Sequence, residues 1–101
     1  MRFSFHPDAE TEFLEAISYY EEKEPGLGYE FAAEVYAAIE RIMAMPKAWP
    51  VLTQDIRRIL VRRFPYGVLY GEGKDEIFIV AVMHLRREPG YWKQRVENHN
   101  R

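Results

Sequence analysis

The chain has 101 residues, 48% of them hydrophobic, no cysteine and a formal net charge of -2. That length and apolar content suit a single domain, residues 1–101, with one modest core, and the lack of cysteine excludes a disulfide framework and a thiolate metal site. No run approaches the ~18 apolar residues of a membrane span, and MRFSFHPDAE lacks the apolar stretch of a signal peptide, so a cytoplasmic protein without membrane contact is expected.

The net charge hides an asymmetry. Residues 1–56 carry 4 Lys+Arg and 11 Asp+Glu, a balance of -7, whereas residues 57–101 carry 10 and 5, a balance of +5. Such a split points to a partner-directed surface for nucleic acid or an acidic protein. The plainer reading is that acidic helices and basic strands neutralise one another across the fold.

In chain order, Arg2 to Phe5 alternates polar and apolar positions, as in a strand with one buried face. His6-Pro7 ends it and opens a helix, with His6 at the N-cap, Pro7 in the first turn and Asp8 and Glu10 at the positive end of the dipole. Ala9, Phe13, Ala16, Ile17 and Tyr20 recur at helical spacing, which leaves Glu12, Glu15, Glu21 and Glu22 pointing outward. KEPGLG, residues 23–28, is too short for a linker and reads as the turn of a helical hairpin. Phe31, Val35, Ala38, Ile39 and Ile42 continue the helical period until Pro46.

PKAWPVLTQD, residues 46–55, has two prolines and no clear period and is expected to be a loop that tucks Trp49 or Leu52 against the core. Three strands follow as a meander: IRRILVRRF, YGVLY and EIFIVAVMH, the last two separated by the polar turn GEGKD. From Gly90 the tail has room for a final helical turn, with Tyr91 and Trp92 near its start and Trp92 as a core anchor. The order β-α-α-β-β-β, with that short C-terminal helix, is α+β: a helical hairpin packed on one face of a curved, largely antiparallel sheet. The other face is where strand-borne arginines emerge.

Strand alternation from Ile56 places Arg58 and Arg62 on one face and Arg57 and Arg63 on the other, so that one pair can join Arg86 and Arg87. A planar guanidinium bonds two phosphate or carboxylate oxygens at once and stays charged at any working pH. Tyr91 and Trp92 beside that patch could stack on a base. His84, at the end of a predicted strand, could move a proton near neutral pH, yet it has no carboxylate or nucleophile at a motif spacing. GxxxxGK[ST], GxSxG, HExxH and paired histidines are all missing, and GEGK precedes no helix, so neither a metal nor a nucleotide cofactor is expected.

The run RRFPYGVLYGEGKDEIFIVAVMHLRREPGYW resembles the C-terminal half of the RelE/ParE family of toxins from bacterial toxin-antitoxin modules. HPDAETEFLEAISYYEE and the second helix, ending at Met45-Pro46, are similar to the same family. The FPY turn, the AV-x-H strand end and the RR-x-P-x-YW tail carry the likeness. The resemblance implies a helical hairpin on a curved antiparallel sheet and a cognate antitoxin that wraps the toxin, with operator DNA reached only through that antitoxin. It implies one of two targets: DNA gyrase for ParE-like members, or the ribosome and its mRNA for RelE-like endoribonucleases. In the second case Arg58, Arg62 and Arg87 would bind phosphate, and His84 or Tyr91 would transfer the proton. The lysine-rich stretch of the ribonucleases is here AWPVLTQD, with only Lys47 nearby. That departure makes the ParE-like gyrase inhibitor the leading expectation, ahead of the ribonuclease and of a non-toxic corepressor that only binds its antitoxin.

Overall fold

The computed structural model describes residues 1–99, so the last two residues of the expected domain lie outside it. Strand β1 (Arg2–Phe5) leads into helix α1 (Pro7–Lys23), then helix α2 (Leu27–Ala44), strands β2 (Val51–Thr53), β3 (Ile56–Leu60), β4 (Tyr66–Gly73) and β5 (Glu76–His84), and helix α3 (Lys93–His99). The sheet order is β1-β5-β4-β3-β2, with β1 parallel to β5 and every other pair antiparallel. The α+β hairpin-on-sheet architecture is therefore the one expected. No helix among the described residues is long and apolar enough to cross a membrane.

Local chemistry explains the helix ends. His6 caps α1 as the sequence predicts, its Nδ1 accepting from the Asp8 N–H at 3.0 Å. α2 is capped by a residue of the preceding helix: the Glu21 carboxylate accepts from the Gly26 and Gly28 N–H groups at 2.9 and 3.0 Å. Gly28 is also where the two helices touch, because a Cβ there would stand 2.5 Å from the carbonyl oxygen of Ile17.

Two expectations about the chain after α2 need correction. The segment read as a loop contains β2, a short edge strand, while Trp49 packs against the core and Leu52 stays 39% exposed. Arg57 fixes this segment by donating to the carbonyls of Lys47 and Trp49, and the Tyr70 hydroxyl donates to that of Pro46. The strand expected over IRRILVRRF stops at Leu60. The Val61 N–H bonds the Tyr66 carbonyl at 2.8 Å, Arg63 takes a positive φ of 72°, and Pro65 has no N–H to continue a ladder, so residues 62–65 form a turn.

The sheet separates two apolar clusters. On the helix side, Phe13, Phe31, Val35, Ile39 and Ile42 meet Ile59, Val68, Tyr70, Ile77 and Ile79. On the opposite face, Ile56, Leu69, Val80, Ala81 and Met83 are covered by Trp92, which is 3% exposed and anchors the tail as expected. A register shift where Leu69 faces Ala81 and Tyr70 faces Ile79 leaves Val80 as an extra residue of β5. This bulge puts neighbouring Val80 and Ala81 on the same face.

Candidate functional site

β5 ends at His84, and the chain turns at once. The His84 carbonyl accepts from the Arg87 N–H and its Nδ1 accepts from the Arg86 N–H, both at 3.0 Å, while the Leu85 N–H bonds the Pro65 carbonyl at 2.9 Å. With Nδ1 accepting, the neutral ring carries its proton on Nε2. The ring sits edge-on to Tyr66 at 5.1 Å. His84 is thus the cap of the turn that presents Arg86 and Arg87.

Arg87 lies over the ring of Tyr91 at 3.8 Å, within cation–π range. Burial, followed by the neighbouring Glu12 carboxylate, pushes the Tyr91 phenol far above its ordinary range, against the opposing pull of Arg95 and Arg87. Its buried hydroxyl makes no well-formed hydrogen bond among the described residues, and Glu12 is the acceptor that acts on it. His84, Arg87 and Tyr91 therefore do meet, with Glu12, Tyr19 and Tyr66 around them, in a groove between α1 and the end of β5.

Arg58 reaches Arg87 from the other side. It stands on the face of β3 opposite Ile59, and its stem lies across Gly67, where an added Cβ would come within 2.9 Å of Cδ and 3.1 Å of Cγ. Arg58, Arg87 and Lys93 line one cavity of about 310 Å³ together with Leu52, Met83 and Trp92. Arg58 also borders a second cavity of about 300 Å³, shared with Arg41, Arg62, Trp49, Pro50 and Leu60. Arg62 reaches this second groove from the turn, because β3 has ended before it. Arg86 is exposed and lines neither groove. Arg41, the one basic residue of α2, was not among the sequence candidates; its place in the last turn of that helix, next to the buried Ile42, is the signal that could have found it.

The charge asymmetry is only partly neutralised inside the fold. Arg63 pairs with Glu30 at 2.6 Å and Glu34 at 3.8 Å, and Arg95 pairs with Glu12 at 2.8 Å and Asp8 at 3.8 Å. Arg41, Arg58, Arg62, Arg86, Arg87 and Lys93 have no carboxylate within 4.0 Å among the described residues. Except for Arg86, these cations form a strip across the two grooves, beside Leu52, Leu60 and Leu85, which are 39%, 54% and 42% exposed. A surface that mixes unpaired guanidinium groups with exposed leucines can bind carboxylates or phosphates carried on an apolar scaffold. No group of three or more potential metal ligands occurs among the described residues.

Comparison with known proteins assigns the family and the fold. Residues 3–89 match the family described as the ParE toxin of the type II toxin-antitoxin system parDE. The chain is 33% identical over 89 residues to Toxin ParE2 of Mycobacterium tuberculosis strain CDC 1551 / Oshkosh, covering 87% of this chain and 85% of the relative. Toxin ParE2 of strain ATCC 25618 / H37Rv aligns over the same span with the same identity. Among solved structures, a chain of the chromosomal ParDE system from P. aeruginosa superposes with a TM-score of 0.67 at 13% identity, covering 85% of this chain and 97% of that one. The isolated E. coli RelE toxin superposes at 0.63 and 18% identity, covering 96% of each chain. These structural likenesses establish the fold that RelE and ParE toxins share, and the sequence matches establish the branch: the chain belongs to the ParE toxin family of type II toxin-antitoxin systems.

Proposed function

We propose that this toxin acts by binding rather than by cutting RNA: it inhibits DNA gyrase in the cytoplasm and is neutralised by a cognate antitoxin. The observation that carries the reading is the state of the groups a ribonuclease would need. Tyr91 is a half-buried phenol with a shielded hydroxyl under Arg87, and its raised pKa makes it a poor base near neutral pH. His84 uses Nδ1 to hold the turn. What remains is the strip of Arg41, Arg62, Arg58 and Arg87, whose guanidinium groups have the chemistry to hold anions. The same strip, with its exposed leucines, suits an acidic amphipathic antitoxin segment, and occupation by the antitoxin would exclude the target.

The test is inducible expression without an antitoxin, followed by gyrase supercoiling and ribosome-programmed mRNA cleavage assayed side by side. Growth arrest with lost supercoiling and intact mRNA supports the proposal. mRNA cut in the ribosomal A site with normal supercoiling would instead assign the RelE-like activity, and absence of any growth effect would assign the corepressor.

A further inference from the structure

Glu12 was expected to face water from the outer side of α1. Instead its side chain is only 14% exposed, and it meets Arg95 of α3, 12% exposed, in a two-bond fork: Arg95 Nη1 to Oε1 at 3.0 Å and Nη2 to Oε2 at 2.8 Å. Both partners also bind the backbone of β5. The Val82 N–H donates to Glu12 Oε1 at 3.0 Å, and Arg95 Nη1 donates to the Val80 carbonyl at 3.0 Å.

The reason lies in the topology. β1 covers the edge of β5 only as far as the pair Phe5 and Ile79, where the His6 N–H makes a last bond to the Ile79 carbonyl at 2.8 Å. β5 continues to His84, and its bulge at Val80 turns backbone groups toward α1 that no strand among the described residues receives. A buried backbone group without a partner is costly. The carboxylate accepts from the N–H and the guanidinium donates to the C=O, so the two side chains together replace the missing strand. Burial alone would pull the Arg95 guanidinium down, but the hydrogen bonds and charge of Glu12 outweigh it and hold it raised.

The same guanidinium lies 5.0 Å from the centre of the Tyr91 ring, one helical turn before it in sequence, and Arg87 lies over that ring at 3.8 Å. The Tyr91 ring packs against both guanidinium groups, and its hydroxyl makes no well-formed hydrogen bond among the described residues. α3 has seven residues, too few to hold a helical shape without tertiary contacts. We infer that Glu12 and Arg95 form a latch that completes the open edge of β5 and, through Tyr91, fixes the direction in which Arg87 is presented. Both are positioning residues; the inference rests on the proposed function only for the use made of Arg87.

The test reads the stack without any partner. In the wild-type protein, NMR should show Arg87 side-chain resonances displaced upfield by the Tyr91 ring and a slowly exchanging Val82 amide. Glu12→Gln and Arg95→Met should speed Val82 exchange roughly tenfold or more and remove most of the Arg87 displacement, while a cooperative thermal transition persists. Glu15→Gln, which removes a carboxylate from the same groove but not from the latch, should change neither. If Arg95→Met does not fold, Arg95→Lys keeps the charge without the fork and should reduce the Arg87 displacement by more than half. An unchanged Arg87 displacement in a folded Glu12→Gln or Arg95→Lys protein overturns the latch. Loss of toxicity plays no part in this readout, so a different target would sink the proposed function and leave the latch standing.

Discussion

The stem of Arg58 lies across Gly67 of the neighbouring strand, and the missing side chain at Gly67 is what lets it lie there. Arg58 thereby borders both the cavity it shares with Arg87 and the one it shares with Arg41. Gly67→Ala should therefore displace Arg58 at a modest cost in stability, about 1 kcal/mol, at the low end for overpacking because the obstructing atoms belong to a long side chain. Binding of a polyglutamate peptide should weaken nearly as much as in Arg58→Ala. The same affinity in Gly67→Ala as in wild type, measured by calorimetry, would show that the lie of Arg58 does not matter.

Arg87 and Arg58 are free of carboxylates and Arg63 is not, so their substitution should have different consequences. Arg87→Ala loses its stack on Tyr91 and Arg58→Ala the packing of its stem across Gly67, so each should cost no more than about 1 kcal/mol of stability while reducing toxicity and polyanion binding. Arg63→Ala should lower the melting temperature slightly and leave polyanion binding near wild type. Binding to the strip should also fall as salt rises, because Arg62, Arg87 and Lys93 are exposed. An affinity independent of ionic strength would transfer the interaction to the exposed leucines.

Gly28 is a packing requirement of the hairpin. In Gly28→Ala the new methyl meets backbone rather than a flexible side chain, so the helices must separate, at a cost of about 2–3 kcal/mol. For a domain of this size that lowers Tm by on the order of 10 °C. Gly73→Ala is the control, since its nearest atom would lie at an ordinary 3.6 Å. Equal melting temperatures for the two variants would contradict the close crossing.

Alkaline pH should unfold the protein through its buried phenols. Burial pushes Tyr70 up to about 12 and Tyr91 higher still. A phenol whose folded pKa is raised adds no pH dependence well below 10, where both states are protonated. As pH climbs from about 10 toward 12 the unfolded chain loses protons that the folded chain keeps, so stability falls across that window. Denaturant melts at rising pH, followed by phenolate absorbance, should show this decline, and Tyr70→Phe should make it shallower. A flat stability through that window would mean that the phenols are open to solvent.

Periodicity made the helical hairpin and the central strands legible, because Phe13, Phe31, Val35 and Ile39 repeat at helical spacing and the β5 run is apolar throughout. It failed where backbone geometry decides. The end of β3 depends on a positive φ at Arg63, which no hydrophobic pattern encodes, and β2 is too short to carry a pattern. Glu12 was misread because a carboxylate on α1 takes its meaning from an unpaired strand edge many residues away in sequence. His84, Arg87 and Tyr91 could be picked out as a group because they are close in sequence, whereas Arg41 reaches Arg58 only through the packing of α2 on the sheet.

The central claim is that this toxin works by holding gyrase with a strip of unpaired arginines. Its most direct test is supercoiling by purified gyrase in the presence of the purified chain, compared with an Arg58→Glu/Arg87→Glu double variant whose thermal transition is intact. Inhibition by the wild-type chain and none by the double variant is the expected result. Full supercoiling in the presence of the wild-type chain, together with mRNA cleavage in the ribosomal A site, would contradict it.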